Sequence, residues 1–319
     1  RREKVIIAGC LSSGPRLPLH VVRPQQRLEI LGEDKILLRE RQPAHVVVDV
    51  REDDVHFADR LAVAVPDANE QWHVLTGNEV GALLAWWALQ RSQGLPDRLL
   101  ATTMVSSQLL EKMATSAGVH YAETLTGFKW LCRPAMSRPD WFQLLAYEEA
   151  LGYALGPTCR DKDGLLAALA VCDLCARLLR TGSDPLAVLD RLALDHGVHT
   201  TSQIAVRFEP SAWPERRRQL MERLEDDPPT MLGGRRVEQV DRPADDLVRL
   251  FLVGGDRLAF RPSGTEPKFK AYLEVVEPVV GGSRSGGTVL RAARRRAGTR
   301  LEWMEHEVRA VLAAEAATS

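Results

Sequence analysis

Arg261-Pro262-Ser263-Gly264-Thr265-Glu266-Pro267-Lys268 stands between two apolar runs, Arg257 to Phe260 and Phe269 to Val276. Both runs alternate with the two-residue period of strands, and the insert is rich in Pro, Ser, Gly and Thr, so the stretch reads as a tight loop joining two strands. Such a loop can cradle phosphate. Gly264 lets the backbone come close to a ligand, Ser263, Thr265 and neighbouring N–H groups can donate to phosphate oxygens, and Arg261 can grip them in bidentate fashion. An ordinary turn with one arginine fits the same composition, since most Ser/Gly/Thr turns bind nothing.

Upstream, Leu247 to Val253, Gly254-Gly255 and Leu258 to Phe260 read as a hairpin with a Gly-rich turn. Ser202 to Phe208 and Arg236 to Val240 read as further strands, with a charged helix from about Pro214 to Glu225 between them. Residues 200–280 are therefore expected to form an α+β domain on an antiparallel sheet, closed by the loop. Residues 281–319 read as a Gly/Ser-rich tail, a basic run from Arg291 to Arg300 and a terminal helix to about Ala314. Arg294-Arg295-Arg296 suits nucleic acid or, more simply, a solvated helix face in a chain of neutral overall charge.

Residues 59–199 alternate strands and helices, which predicts an α/β domain with a parallel sheet. Asp59 to Asp67 reads as a strand, and Thr76-Gly77-Asn78-Glu79 as a capping box opening a helix with Val80, Leu83, Leu84 and Trp87 on one face. A strand around Leu99 to Val105, a helix from Gln108 to Ala117 with Gly118 after it, and a strand near Val119 to Ala122 follow. Thr126-Gly127-Phe128-Lys129-Trp130 is then a polar turn at a strand's carboxyl end, where such sheets place ligands. In Tyr147-Glu148-Glu149-Ala150-Leu151-Gly152-Tyr153, two adjacent carboxylates can accept from vicinal sugar hydroxyls or simply face solvent. Arg160-Asp161-Lys162-Asp163-Gly164 sets a cation beside the start of a helix running to Arg180 and stopped at Gly182, with Asp163 as its cap. Asp184-Pro185 opens another helix, closed by Gly197.

Residues 1–58 are harder to read. Val5 to Gly9 resembles the opening strand of an α/β unit, Val46 to Val50 reads as a buried strand, and Leu28 to Leu31 and Lys35 to Leu38 are short apolar runs. The 319 residues, 45% hydrophobic and 27% charged with formal net charge -1, suffice for two or three domains and give no general attraction to nucleic acid or anionic membrane. No apolar run reaches the ~18 residues of a membrane span. No signal peptide is visible, and five cysteines without framework spacing point to a reducing cytoplasm. Cys172 and Cys175 form a lone CxxC in a helical run, where packing is the simpler reading than metal or redox chemistry.

Five of these stretches, in one order, resemble the phosphohexomutase superfamily of phosphoglucomutases and phosphomannomutases: LTGNEVGALL, TGFKW, YEEALGY, RDKDG, and RPSGTEPK with FKAYLEVV. Ala150 resembles the phosphoglucomutase-2-like and phosphopentomutase subgroup. The resemblance covers roughly residues 59–278 and implies a phosphosugar mutase that interconverts hexose 1-phosphate and 6-phosphate through a bisphosphate intermediate. It implies phosphate contacts from Arg261, Ser263, Gly264, Thr265 and Lys268, and sugar contacts from Thr126, Gly127, Glu148 and Lys162. The ligand is expected to be a hexose or pentose phosphate, with no nucleic-acid or membrane partner. The family's Asp-x-Asp-x-Asp-Arg loop for Mg²⁺ falls on Val55, Phe57, Asp59 and Arg60, so only Asp59 remains of three ligands; Asp53 and Asp54 are out of register. The family's phosphoserine loop, Thr/Ser-Ala-Ser-His-Asn-Pro, has no counterpart, and Ser12 and Ser13 do not match it. The expectation is thus an incomplete mutase chain with no catalytic residue of its own, the alternatives being an inactive phosphosugar-binding remnant or a phosphopentomutase.

Overall fold

The computed structural model describes residues 5–10, 45–52, 58–67, 69, 71–264, 266–280 and 286–317. By internal contact the chain divides into two compact units, Arg1–Thr103 with Met113–Leu189, and Met104–Lys112 with Asp190–Ser319.

The first unit contains β1 (Val5–Cys10), β2 (His45–Glu52), β3 (Ala58–Pro66), β4 (Trp72–Val74), α1 (Gly77–Arg91) and β5 (Arg98–Thr103). After α2 (Leu109–Ala117) come β6 (His120–Thr124), the short helices α3 (Phe128–Leu131) and α4 (Arg133–Ser137), β7 (Phe142–Glu148), β8 (Gly152–Leu155) and α5 (Gly164–Arg180). The strands form one sheet in the order β1-β2-β3-β8-β7-β5-β6, with β4 added to β3. The expected α/β class holds, and its parallel part is the trio in which β5 pairs with both β6 and β7. Antiparallel strands extend it. Only Glu149, Ala150 and Leu151 join β7 to β8, too few for a crossover, so β8 must fold straight back. Strand β1 likewise runs antiparallel to β2, with Val5 opposite Val50, rather than opening a parallel unit. The runs Leu28 to Leu31 and Lys35 to Leu38 lie outside the described residues.

Local chemistry explains the helices. At α1 the Thr76 hydroxyl accepts from Glu79 N at 3.2 Å and Glu79 Oε2 accepts from Thr76 N at 2.8 Å, which closes the capping box. Val80, Leu83 and Leu84 of α1 are buried, while Trp87 Nε1 reaches across to donate to Asp173 Oδ2 on α5 at 2.8 Å. Asp163 caps α5 by accepting from Leu166 N at 2.8 Å. Cys172 and Cys175 on α5 are free thiols, and burial pushes both up, Cys175 to about 12, as for cysteines that pack rather than react.

The second unit takes up the chain within α6 (Pro185–His196) and continues through β9 (Val198–Arg207), α7 (Trp213–Asp226), β10 (Met231–Leu232), β11 (Arg235–Ala244), β12 (Leu247–Leu252), β13 (Arg257–Pro262), β14 (Lys268–Glu277) and α8 (Gly286–Ala317). Its six strands form a wholly antiparallel sheet, β10-β11-β12-β13-β14-β9. Phe260, Phe269, Leu273 and Val275 from the sheet share one core with Leu220 and Leu224 of α7 and with Leu290, Ala293, Ala297, Leu301, Met304 and Val308 of α8. The terminal helix is thus solvated on one side only. Its arginines also bind the sheet, for Arg300 donates to Asp256 Oδ2 and to Glu277 Oε2, each at 2.8 Å, and Arg296 to Glu277 Oε1 at 2.6 Å.

A buried polar network ties residues 104–112 to this sheet. Glu274 of β14 accepts from Ser107 Oγ at 2.6 Å, from Gln108 N at 2.9 Å and from Gln108 Nε2 at 3.1 Å. His199 Nδ1 lies 2.8 Å from the same carboxylate, and Arg257 donates both to it and to the Ser106 carbonyl. Among the described residues no helix is long and apolar enough to cross a membrane.

Candidate functional site

In the first unit, four separate stretches converge. Gly127, with φ 111, occupies a backbone region that favours glycine, and its N–H donates to the Glu148 carboxylate at the end of β7. Phe128 is buried behind it, 5.9 Å from Lys162 Nζ. Lys162 also pairs with Asp59 Oδ2 at 3.1 Å and Asp161 Oδ1 at 3.5 Å. Next to Asp59, Arg60 donates to the Ala150 carbonyl at 2.6 Å. Asp59, Arg60, Gly127, Glu148 and Lys162 thus form one cluster, with the half-buried Thr126 beside Gly127.

Glu148 is only 7% exposed. Burial pushes its carboxyl up, Glu149 adds to that, and Arg60, Lys162 and the Gly127 N–H pull it back. Desolvation lowers Lys162, but the hydrogen bond it donates to Asp59 and the charges of Asp161, Asp59 and Glu148 outweigh it, so its ammonium is held above the usual lysine range. The Glu148–Glu149 pair is therefore not a solvated face: Glu149 Oε2 accepts from Thr103 Oγ1 at 3.3 Å. A buried carboxylate beside two cations is an arrangement that can accept from hydroxyl groups while facing an anion.

In the second unit, Ser263 to Pro267 link β13 to β14. Ser263 N donates to the Lys268 carbonyl at 2.8 Å and Lys268 N to the Glu266 carbonyl at 2.7 Å, which closes the turn. Arg261 stands opposite Lys270 in the register, and its Nε donates to Asp246 Oδ2 at 3.1 Å. Lys268 pairs with Glu266, whose carboxyl that hydrogen bond holds below its usual range. Ser263 is half-buried, Gly264 is exposed, and Thr265 lies outside the described residues. An added Cβ at Gly264 would meet nothing within 4 Å, so space for a ligand exists beside this backbone.

The residues at the expected metal loop do not fit Mg²⁺. That ion takes several oxygen ligands at once. Val55 and Phe57 carry no oxygen in their side chains, and they lie, with Asp53 and Asp54, outside the described residues. Asp59 pairs with Lys162 through Oδ2 and keeps Oδ1 buried without a hydrogen-bond partner, a single oxygen where the ion takes several, and among the described residues no three His, Cys, Asp or Glu gather to hold an ion.

Arg60, matched in the sequence only as the neighbour of Asp59, and Gly77, read there only as part of a capping box, both shape the cluster through distant contacts. Arg60 has its place there through the Ala150 carbonyl and not only through adjacency to Asp59. Gly77 matters through closeness, since an added Cβ would overlap the Glu149 carbonyl, with its carbon at 2.7 Å. The partners lie 90 and about 70 positions away, beyond the reach of any local pattern.

Fold and site together define an α/β protein with one charged, partly buried loop cluster and one Ser/Gly loop on an antiparallel sheet. The family model described as "Phosphoglucomutase/phosphomannomutase, alpha/beta/alpha domain III" matches residues 76–192. A Haemophilus influenzae protein named as a probable phosphomannomutase is 39% identical over 224 residues, covering 68% of this chain and 44% of that protein. The Mus musculus phosphopentomutase is 30% identical over 259 residues, covering 69% of this chain and 40% of its own. The fold matches the Paramecium pp63/parafusin phosphoglucomutase in its open form with a TM-score of 0.51 and 21% identity, over 76% of this chain and 43% of that one. The chain is similar to the phosphohexomutase superfamily, and the part of those proteins that it matches is their C-terminal portion. It spans less than half the length of the relatives it matches.

Proposed function

We propose that these residues are the ligand-holding part of a phosphosugar mutase. Taken each by itself, the loop of the second unit is read as phosphate-holding through Arg261, Ser263, Gly264, Thr265 and Lys268, and the cluster of the first unit as facing the sugar of a hexose or pentose phosphate through Thr126, Gly127, Glu148 and Lys162. The observation that supports this most is the convergence of Gly127, Glu148 and Lys162, from three separate motifs, on one buried carboxylate flanked by cations. Relatives named phosphomannomutase and phosphopentomutase both match, and a carboxylate accepting vicinal hydroxyls suits either sugar. The free thiols of Cys132, Cys159, Cys172 and Cys175 suit a reducing cytoplasm.

Within the 319 residues no Ser-His-Asn-Pro run supplies a phosphorylated nucleophile. The chain by itself is therefore expected to bind sugar phosphates without turning them over. The test incubates it with glucose 1-phosphate, mannose 1-phosphate or ribose 1-phosphate plus Mg²⁺ and a bisphosphate activator. Binding without turnover supports the reading; turnover refutes the inactivity, and absence of binding refutes the site.

A further inference from the structure

Within the turn from Glu148 to Gly152, two carbonyls accept hydrogen bonds from β3 and a third packs against the start of α1. Gly77 at the start of α1 lies so close that a Cβ would overlap the Glu149 carbonyl. Arg60 donates to Ala150 O at 2.6 Å, and Leu61 N donates to Leu151 O at 3.1 Å. Leu151 itself has φ 66, a left-handed conformation that is costly for a residue with a Cβ and persists only where its surroundings impose it. The β7–β8 ladder, from Leu145 opposite Leu155 to Glu148 opposite Gly152, closes the base of the turn, whereas β3 reaches β8 through the single register pair Arg60 and Gly152. Gly152 in turn has no room for a side chain, since a Cβ there would lie 2.9 Å from Phe128 and 3.1 Å from Glu148.

We propose that Arg60 is a positioning residue for ligand recognition: its hydrogen bond to Ala150 O fixes the 148–152 turn so that the Glu148 carboxylate meets the sugar hydroxyls. The guanidinium is also the leading positive charge acting on Glu148 against burial and Glu149, with Lys162 behind it and Asp59 neutralising Lys162. Arg60 therefore keeps a task that needs no metal ion, although it sits beside the loop where the family binds one. The inference rests on the reading of this turn as sugar-facing.

The test titrates the full chain, its Arg60→Ala variant and its Arg60→Lys variant with glucose 6-phosphate and, separately, inorganic phosphate, following tryptophan fluorescence, with amide hydrogen exchange at residues 149–152. Arg60→Ala is expected to lower the preference for glucose 6-phosphate over inorganic phosphate by about tenfold, the scale of one charge-assisted hydrogen bond. Exchange in the turn should quicken, and Arg60→Lys should recover part of both. Equal loss for both ligands means a general folding role and overturns the proposal, as does an unchanged preference in Arg60→Ala. A wild-type chain that does not prefer glucose 6-phosphate sinks the sugar-facing reading itself, which is visible before any variant is made.

Discussion

Glu274 Oε1 lies 2.8 Å from His199 Nδ1, with both side chains at most 4% exposed. Burial alone would raise this carboxyl, but the His199 hydrogen bond, the Arg257 charge and the Ser107 hydroxyl hold it down at about 2. A carboxyl depressed on folding stabilises the fold fully above its unfolded value of about 4.3 and loses that contribution as pH falls toward about 2. The contribution is on the order of 3 kcal/mol at neutral pH. Urea melts at stepped pH should show stability falling through this window, and Glu274→Gln should lower stability at pH 7 while narrowing the gap to wild type in acid. An equal gap at pH 7 and pH 3 would remove Glu274 as the titrating group.

Gly77→Ala should be costly. Its Cβ meets backbone, the Glu149 carbonyl, which cannot swing aside like a side-chain tip. Overpacking of this kind costs roughly 1–3 kcal/mol. Gly264→Ala is the control, since its Cβ enters open space, and it should change stability by less than about 0.5 kcal/mol. Chemical denaturation of the two variants compares them directly.

Glu148 shows the opposite sign to Glu274. Its carboxyl is raised by burial and by Glu149, so the folded state favours the protonated form and stability declines as pH rises above the unfolded carboxylate range. Glu148→Gln should therefore raise the thermal midpoint at pH 7 and weaken sugar-phosphate binding, because an amide replaces one of two acceptor oxygens with a donor. A variant that melts earlier than wild type at pH 7 would contradict the assignment.

Arg261→Ala should weaken binding of both inorganic phosphate and glucose 6-phosphate, by about tenfold to a hundredfold for a lost charge-assisted pair. Its ion pair with Asp246 is partly exposed, so the melting curve should barely move. Millimolar Mg²⁺ should not shift the melting temperature of wild type or of Asp59→Asn, since among the described residues no group of three His, Cys, Asp or Glu that could hold an ion includes Asp59. A saturable Mg²⁺-dependent shift lost in Asp59→Asn would reverse that conclusion.

Short-range chemistry was legible in the sequence. Thr76 with Glu79, Asp163 before α5, and Asp184 before Pro185 each mark a helix start through bonds spanning three residues, and each bond is present. Gly118 and Gly197 end helices at positive φ for the same local reason. Long-range burial was not legible. On residue chemistry alone Glu148 and Glu149 suited a solvent-facing pair, because nothing near them announces that Gly127 and Arg60 would close over them. The apolar spacing of Leu290, Ala293, Ala297, Leu301 and Met304 is helical, yet arginines crowd the same stretch, and only the positions of Asp256 and Glu277 explain why those charges turn inward. Glu274 carries no local mark of its role, since its partners Ser107 and Gln108 stand 167 and 166 positions earlier.

Those same partners bear on how the protein can be taken apart. Ser107 and Gln108 come from Met104–Lys112, a piece that follows β5 in the chain but is compact with residues from Asp190 onward. A fragment beginning at Asp190 would keep every strand of the antiparallel sheet and still lose four hydrogen bonds onto Glu274, leaving a carboxylate inside the fold with His199 and Arg257 as its remaining neighbours. The antiparallel unit is therefore not a cassette that can be cloned, swapped or shuffled by its contiguous sequence, and any transplant has to carry those nine residues as a second insert.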